Sequence, residues 1–86
     1  MEAKIILEKD LHTDLGMRYL AEMLFENLDN NVPKITIDFN GITFMSRSFA
    51  QEYVFQKNQL KNIEFVEENM DVNVKKMFEV VYDSMK

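Results

Sequence analysis

KITIDFNGITFMSRSFAQEYV, residues Lys34 to Val54, decides how this chain folds. Ile35, Ile37 and Phe39 alternate with Lys34, Thr36 and Asp38, the period-two pattern of a strand that buries one face. Asn40-Gly41 supplies a turn, and Ile42-Thr43-Phe44-Met45 is a second short apolar run. Ser46-Arg47-Ser48 then leads into a helix with Phe49, Ala50, Tyr53 and Val54 at helical spacing. A hydroxyl at that helix start can cap backbone N–H groups, and the same place can hold a phosphate if a kinase reaches it.

Upstream, Lys4-Ile5-Ile6-Leu7 is a short strand candidate followed by a loop that contains His12. Thr13 or Asp14 can cap a helix running to Asp29, in which Met17, Leu20, Leu24 and Leu28 form one stripe flanked by Met23 and Phe25. Asn30-Asn31-Val32-Pro33 ends that helix, and Pro33 sets an extended approach to the next strand. Downstream, a helix is predicted over 48–59 and a strand over 62–66, with Ile63 and Phe65 on one face and Glu64 on the other. A last helix starts near Asn69 or Asp71 and aligns Val74, Met77, Phe78, Val81, Tyr82 and Met85.

The order β-α-β-α-β-α implies an α/β fold with a small parallel sheet and right-handed crossovers. Parallel strands buried on both faces read as continuous apolar runs, whereas the second and third strands here alternate. Helices are therefore expected mainly on one face, with the other partly solvated or covered by a partner.

With 86 residues, the chain is expected to be a single domain, 1–86, near the lower end of what folds without staples. It has no cysteine, which removes disulfides, thiolate metal sites and a cysteine nucleophile. A hydrophobic content of 47% is ample for one core. No apolar run approaches the roughly 20 residues of a membrane span and no signal peptide opens the chain, so a cytoplasmic location is expected. A net charge of −5 with scattered basic residues argues against nucleic acid as a partner and in favour of another protein. His12 stands alone, Gly16 and Gly41 make no phosphate loop, and Glu67, Glu68 and Asp71 read as a solvated loop. No catalytic constellation, metal site or cofactor site is legible, and the expected class is not an enzyme.

The succession of a strand ending in Asp, a short turn, an apolar residue and Met, serines and a helix resembles the STAS domains of bacterial anti-sigma factor antagonists. It is most similar to the STAS-like branch grouped as DUF4325, which typically carries an Asp-Phe strand end and a Ser-Phe-Ala helix start. Here these are Asp38-Phe39 and Ser48-Phe49-Ala50, and Leu15-Gly16-Met17-Arg18 is similar to that branch's Leu-Gly-x-Arg. The resemblance spans 14–81. It implies strands in chain order and a cytoplasmic signalling module that binds a GHKL-type ATPase or serine kinase, with Ser48 at the phosphorylation position. STAS domains usually add a C-terminal strand and helix that this chain lacks, so a truncated fold or a homodimer covering the open face are both implied alternatives.

Where the family loop reads Asp-Ser-Ser-Gly, this chain has Ser46, Arg47, Ser48 and Phe49, so it departs at three of the four positions. Ser48 with Gln51 three residues on also fits a capping box. Partner contacts are expected from Ser46, Arg47, Ser48 and Phe49, with Asp38 and Arg18 added. Arg18 can also reach Glu22, and Asp38 can hydrogen-bond the Asn40-Gly41 turn. Phe44, Met45 and Phe49 are expected mainly in the core, any one exposed beside the serines making an apolar patch. The rival readings are a constitutive structural subunit or homodimer with Ser48 only a cap, and a small-molecule crevice at Asp38 and Ser46.

Overall fold

The computed structural model describes residues 2–11, 14–29 and 31–84, and the expectations for His12, Thr13 and Met85 lie outside them. The described residues form strands β1 (Glu2–Ile6), β2 (Lys34–Asp38) and β3 (Glu64–Glu68), and helices α1 (Leu7–Asp10), α2 (Arg18–Glu26), α3 (Arg47–Gln59) and α4 (Val72–Ser84). The strands lie in chain order, β1-β2-β3, and both pairs are parallel. The fold is α/β, as its alternating order of elements requires.

Parallel partners share a face of the sheet. Ala3, Ile35 and Phe65 are therefore aligned, followed by Ile5, Ile37 and Glu67. Ile35, Ile37 and Phe39 are fully buried and join the core with Leu20, Leu24, Phe25, Phe49, Val54, Val74, Phe78 and Val81 from the helices. The opposite face presents Lys4, Thr36 and Val66, then Ile6, Asp38 and Glu68. None of these except Asp38 is buried. The helices thus cover one face, with α2 packed on α3 and α3 on α4.

Three expected boundaries shift, the first and third for long-range reasons. The first long helix begins at Arg18, because Leu15 bridges to Met45 in parallel and Met17 stays extended (φ −120, ψ 135). Met17 is consequently 57% exposed and leaves the predicted stripe, Met23 is also exposed, and Phe25 is buried instead. Leu7 opens the short helix α1, whose Asp10 carboxylate accepts the Ile6 N–H at 2.9 Å. The third strand lies two residues later than predicted, which turns Glu67 from a supposed loop residue into a strand residue facing the helices.

Glu67 is tolerated there because α3 supplies its partners. The Tyr53 hydroxyl donates to Glu67 Oε2 at 2.6 Å, and Lys57 Nζ donates to the same oxygen at 3.2 Å and to the Tyr82 hydroxyl at 2.8 Å. The Tyr53 ring is fully buried and meets Phe25, Phe39, Phe49 and Phe78 at centroid separations of 5.5, 6.1, 6.2 and 5.2 Å. Such ring pairs contribute about 0.5–1.5 kcal/mol each beyond their buried area. Burial, followed by the charge and hydrogen bond of Glu67, pushes the Tyr53 hydroxyl well above its ordinary pKa of 10.0. Burial works against the charge on Lys57, but the Tyr82 hydroxyl and Glu67 outweigh it and raise its pKa.

Tyr53→Phe keeps the ring and removes the donor to Glu67, so it is expected to cost about 1–3 kcal/mol in urea unfolding at neutral pH. A raised folded-state pKa stabilises the fold fully below the unfolded value and loses that contribution as pH climbs through the folded one. The gap between wild type and Tyr53→Phe should therefore shrink above pH 10.0, and a gap that stays constant contradicts the burial of a protonated Tyr53.

Candidate functional site

β2 leads directly into the candidate site. Phe39 continues the ladder by donating to the Glu68 carbonyl at 2.9 Å, and Ile42 N–H closes the turn onto the Phe39 carbonyl at 3.0 Å. Gly41 takes φ +84 there, a conformation that calls for glycine, and the end of the exposed Glu8 side chain lies over it. Ile42 and Met45 then turn into the core while Phe44, 54% exposed, points outward. Ser46 N–H donates to the Leu15 carbonyl at 2.9 Å, which fixes the bend beside the segment entering α2.

Ser46, rather than Ser48, caps α3. Its backbone is extended (φ −75, ψ 158) and its Oγ accepts the Phe49 N–H at 3.1 Å. Ser48 must already be helical, because Phe49 and Ala50 are both driven into the core immediately after it. The predicted capping box of Ser48 and Gln51 is therefore corrected by two residues. Ser48 lies exposed in the first turn, its Oγ 3.1 Å from that of Ser46, and Arg47 beside it is exposed as well. Phe49 is also corrected as a docking residue, since it is wholly buried beneath the bend. Phe44 takes the apolar position beside the serines.

Arg18 does reach Glu22, at 3.8 Å, but its main partner was not anticipated. Its guanidinium grips Glu52 Oε1 through Nη2 at 2.8 Å and Nε at 3.0 Å, while Gln56 donates to Glu52 Oε2 at 2.7 Å. Glu52 is only 5% exposed, so these bonds hold a buried carboxylate. A groove of about 350 Å³ opens alongside, lined by Arg18, Gln51, Glu52, Phe55 and Ser84. The available signal was Glu52 itself, a carboxylate set between the core residues Phe49 and Tyr53 of α3.

Asp38 belongs to a separate cluster on the open face of the sheet. Its Oδ1 accepts from Asn40 N–H at 2.9 Å and from Asn69 Nδ2 at 3.0 Å, and Lys4 Nζ lies 4.0 Å from Oδ2. Asn69 reaches it from a left-handed backbone (φ 58), which asparagine tolerates better than most residues. The Asn69 and Asn40 hydrogen bonds, with Lys4 adding its charge, outweigh burial and hold the Asp38 carboxyl below its usual range. The geometry therefore joins Ser46, Arg47 and Ser48 at the bend and links Arg18 to α3, while the bonds of Asp38 lead to β1, the turn and the end of β3.

Among the described residues no group of three or more His, Cys, Asp or Glu side chains could hold a metal ion, and no helix is long and apolar enough to cross a membrane. Compared with known proteins, the chain matches no family model, no curated protein and no solved structure.

Ser46→Ala should lower stability by about 1 kcal/mol in thermal or urea unfolding, with Ser46→Asp close to wild type and Ser48→Ala nearly neutral. The opposite ranking would return the cap to Ser48. A depressed carboxyl pKa stabilises the fold above the unfolded value of 3.8 and loses that contribution as pH falls through the folded one. Asp38→Asn should accordingly flatten the acid limb of the stability profile below pH 3.8, and an unchanged limb would remove Asp38 as a source of acid sensitivity.

Proposed function

We propose that this protein is a STAS-like interaction module that docks through its bend and the start of α3 on a GHKL-type ATPase or serine kinase, with Ser48 as the phosphorylation site. The observation that carries the reading is the division of labour between the serines. Ser46 caps the helix, and Ser48 stands exposed in the first turn without that duty. A phosphate at this position meets the positive end of the helix dipole and unpaired backbone N–H groups. Arg47, the preceding residue, is a cation of the type that pairs with phosphate. The added charge of about −1.5 to −2 leaves the helix intact and opposes docking by repulsion and desolvation.

A constitutive subunit or homodimer has one observation in its favour, the uncovered second face of the sheet with Ile6, Thr36 and Val66 set among charges. On that reading Ser48 carries no modification.

Incubation with its kinase and ATP should add one phosphate, mapped to Ser48 by fragmentation of the intact protein. Ser48→Ala should still bind that kinase, and Ser48→Asp should bind about tenfold more weakly or worse. An unchanged mass, or label confined to Ser84, removes the switch. Equal binding by both variants favours the constitutive subunit.

A further inference from the structure

The Asn40-Gly41 turn brings together two groups that can react with each other. Of the eight asparagines in the chain, Asn40 alone precedes a glycine. The other seven precede residues whose Cβ shields their own backbone nitrogen, and at Gly41 that shield is missing. The positive φ of Gly41 and the Ile42 N–H on the Phe39 carbonyl make this a type II turn, with Asn40 at its first central position. Both residues are exposed. Among the described residues, no hydrogen bond holds the Asn40 carboxamide or the Gly41 N–H. The electrophilic side-chain carbon and the nitrogen that would attack it are therefore adjacent, open to water and untethered.

We propose that Asn40 is a self-modification site, where the carboxamide is converted to aspartate and isoaspartate through a succinimide ring. The Gly41 nitrogen gives its proton to solvent and bonds to the Asn40 side-chain carbonyl carbon. The bond from that carbon to the amide nitrogen breaks, and the nitrogen takes up a proton and leaves as ammonia. Water then opens the ring. Addition at the side-chain carbonyl leaves aspartate. Addition at the main-chain carbonyl leaves isoaspartate, whose backbone runs through the former side chain and is one carbon longer. Water enters and ammonia leaves, so the step needs neither oxidant nor cofactor.

Either product puts a new carboxylate beside two others, Asp38, which accepts the Asn40 N–H, and Glu8, whose end lies over Gly41. The isoaspartyl form also lengthens a turn whose ends, Phe39 and Ile42, are buried in the core and joined at 3.0 Å. Modification thus loosens the chain where β2 hands it on towards the bend. The isoaspartyl carboxylate is the chemical class on which carboxyl methyltransferases act. None of this requires a kinase or a docking partner, so the inference stands apart from the proposed function.

The test incubates the folded full chain in warm, mildly alkaline buffer beside Asn40→Gln and beside wild type unfolded in urea. Peptide fragmentation locates any amide-to-acid mass gain, and an isoaspartyl-specific methyltransferase with labelled methyl donor reports ring opening. Folded wild type should gain mass at Asn40 before any other asparagine and should become a methyl acceptor. Asn40→Gln, whose side chain must close a larger ring, should unfold at the wild-type urea midpoint and react about tenfold more slowly or less. The modified fraction, once separated, should unfold at lower urea than the unmodified chain. Reaction only in urea, equal reaction in Asn40→Gln, or earlier gain at another asparagine overturns the site. Mass gain at Asn40 without methyl acceptance overturns the ring step, and an unchanged midpoint overturns the loosening of the turn.

Discussion

The hydroxyl of Tyr53 on the carboxylate of Glu67 is the contact around which this small domain is organised. Its ring gathers Phe25 from α2, Phe39 from the end of β2, and Phe49 and Phe78 from α3 and α4. Its oxygen then fixes α3 to β3 at 2.6 Å. A carboxylate facing the core is costly unless its lone pairs are met, so the pairing of Glu67 with Tyr53 and Lys57 constrains where β3 can lie against α3. A slip of one residue that brought Val66 to that position would leave the hydroxyl without its acceptor.

A second carboxylate, this one buried, does similar work between α2 and α3. Glu52 draws Arg18 across from α2 and occupies its own second oxygen with Gln56. The result is a helix pair joined by charge at its surface and by apolar packing below. The bend before α3 presents Phe44, Arg47 and Ser48 at the surface, with Met45 and Phe49 as buried anchors.

Much of this architecture was legible because local pattern and tertiary environment agree. Alternation at 35, 37 and 39 identified the central strand, and Val74, Phe78 and Val81 marked the buried face of the last helix. The features that escaped depend on partners distant in sequence. Nothing local shows that Leu15 would pair with Met45 and delay α2, or that Glu67 would have a tyrosine and a lysine waiting on α3. At the bend, two serines two residues apart are equivalent to any local capping rule. The burial of Phe49 and Ala50 decides between them, and it makes Ser46 the cap. Phe49 follows the exposed Arg47 and Ser48 but is wholly buried, which bears out its expected place in the core and removes it from the expected partner contacts.

The single link between Leu15 and Met45 has a mechanical consequence. It splices the stretch leading into α2 to the stretch leading into α3, the Ser46 amide on the Leu15 carbonyl being one of the bonds that make the link. Neither path can be rerouted without unseating two wholly apolar plugs, so the two helix starts are obliged to travel together. A molecule meeting this corner finds a stiff scaffold, whose vocabulary is limited to what its outermost atoms carry.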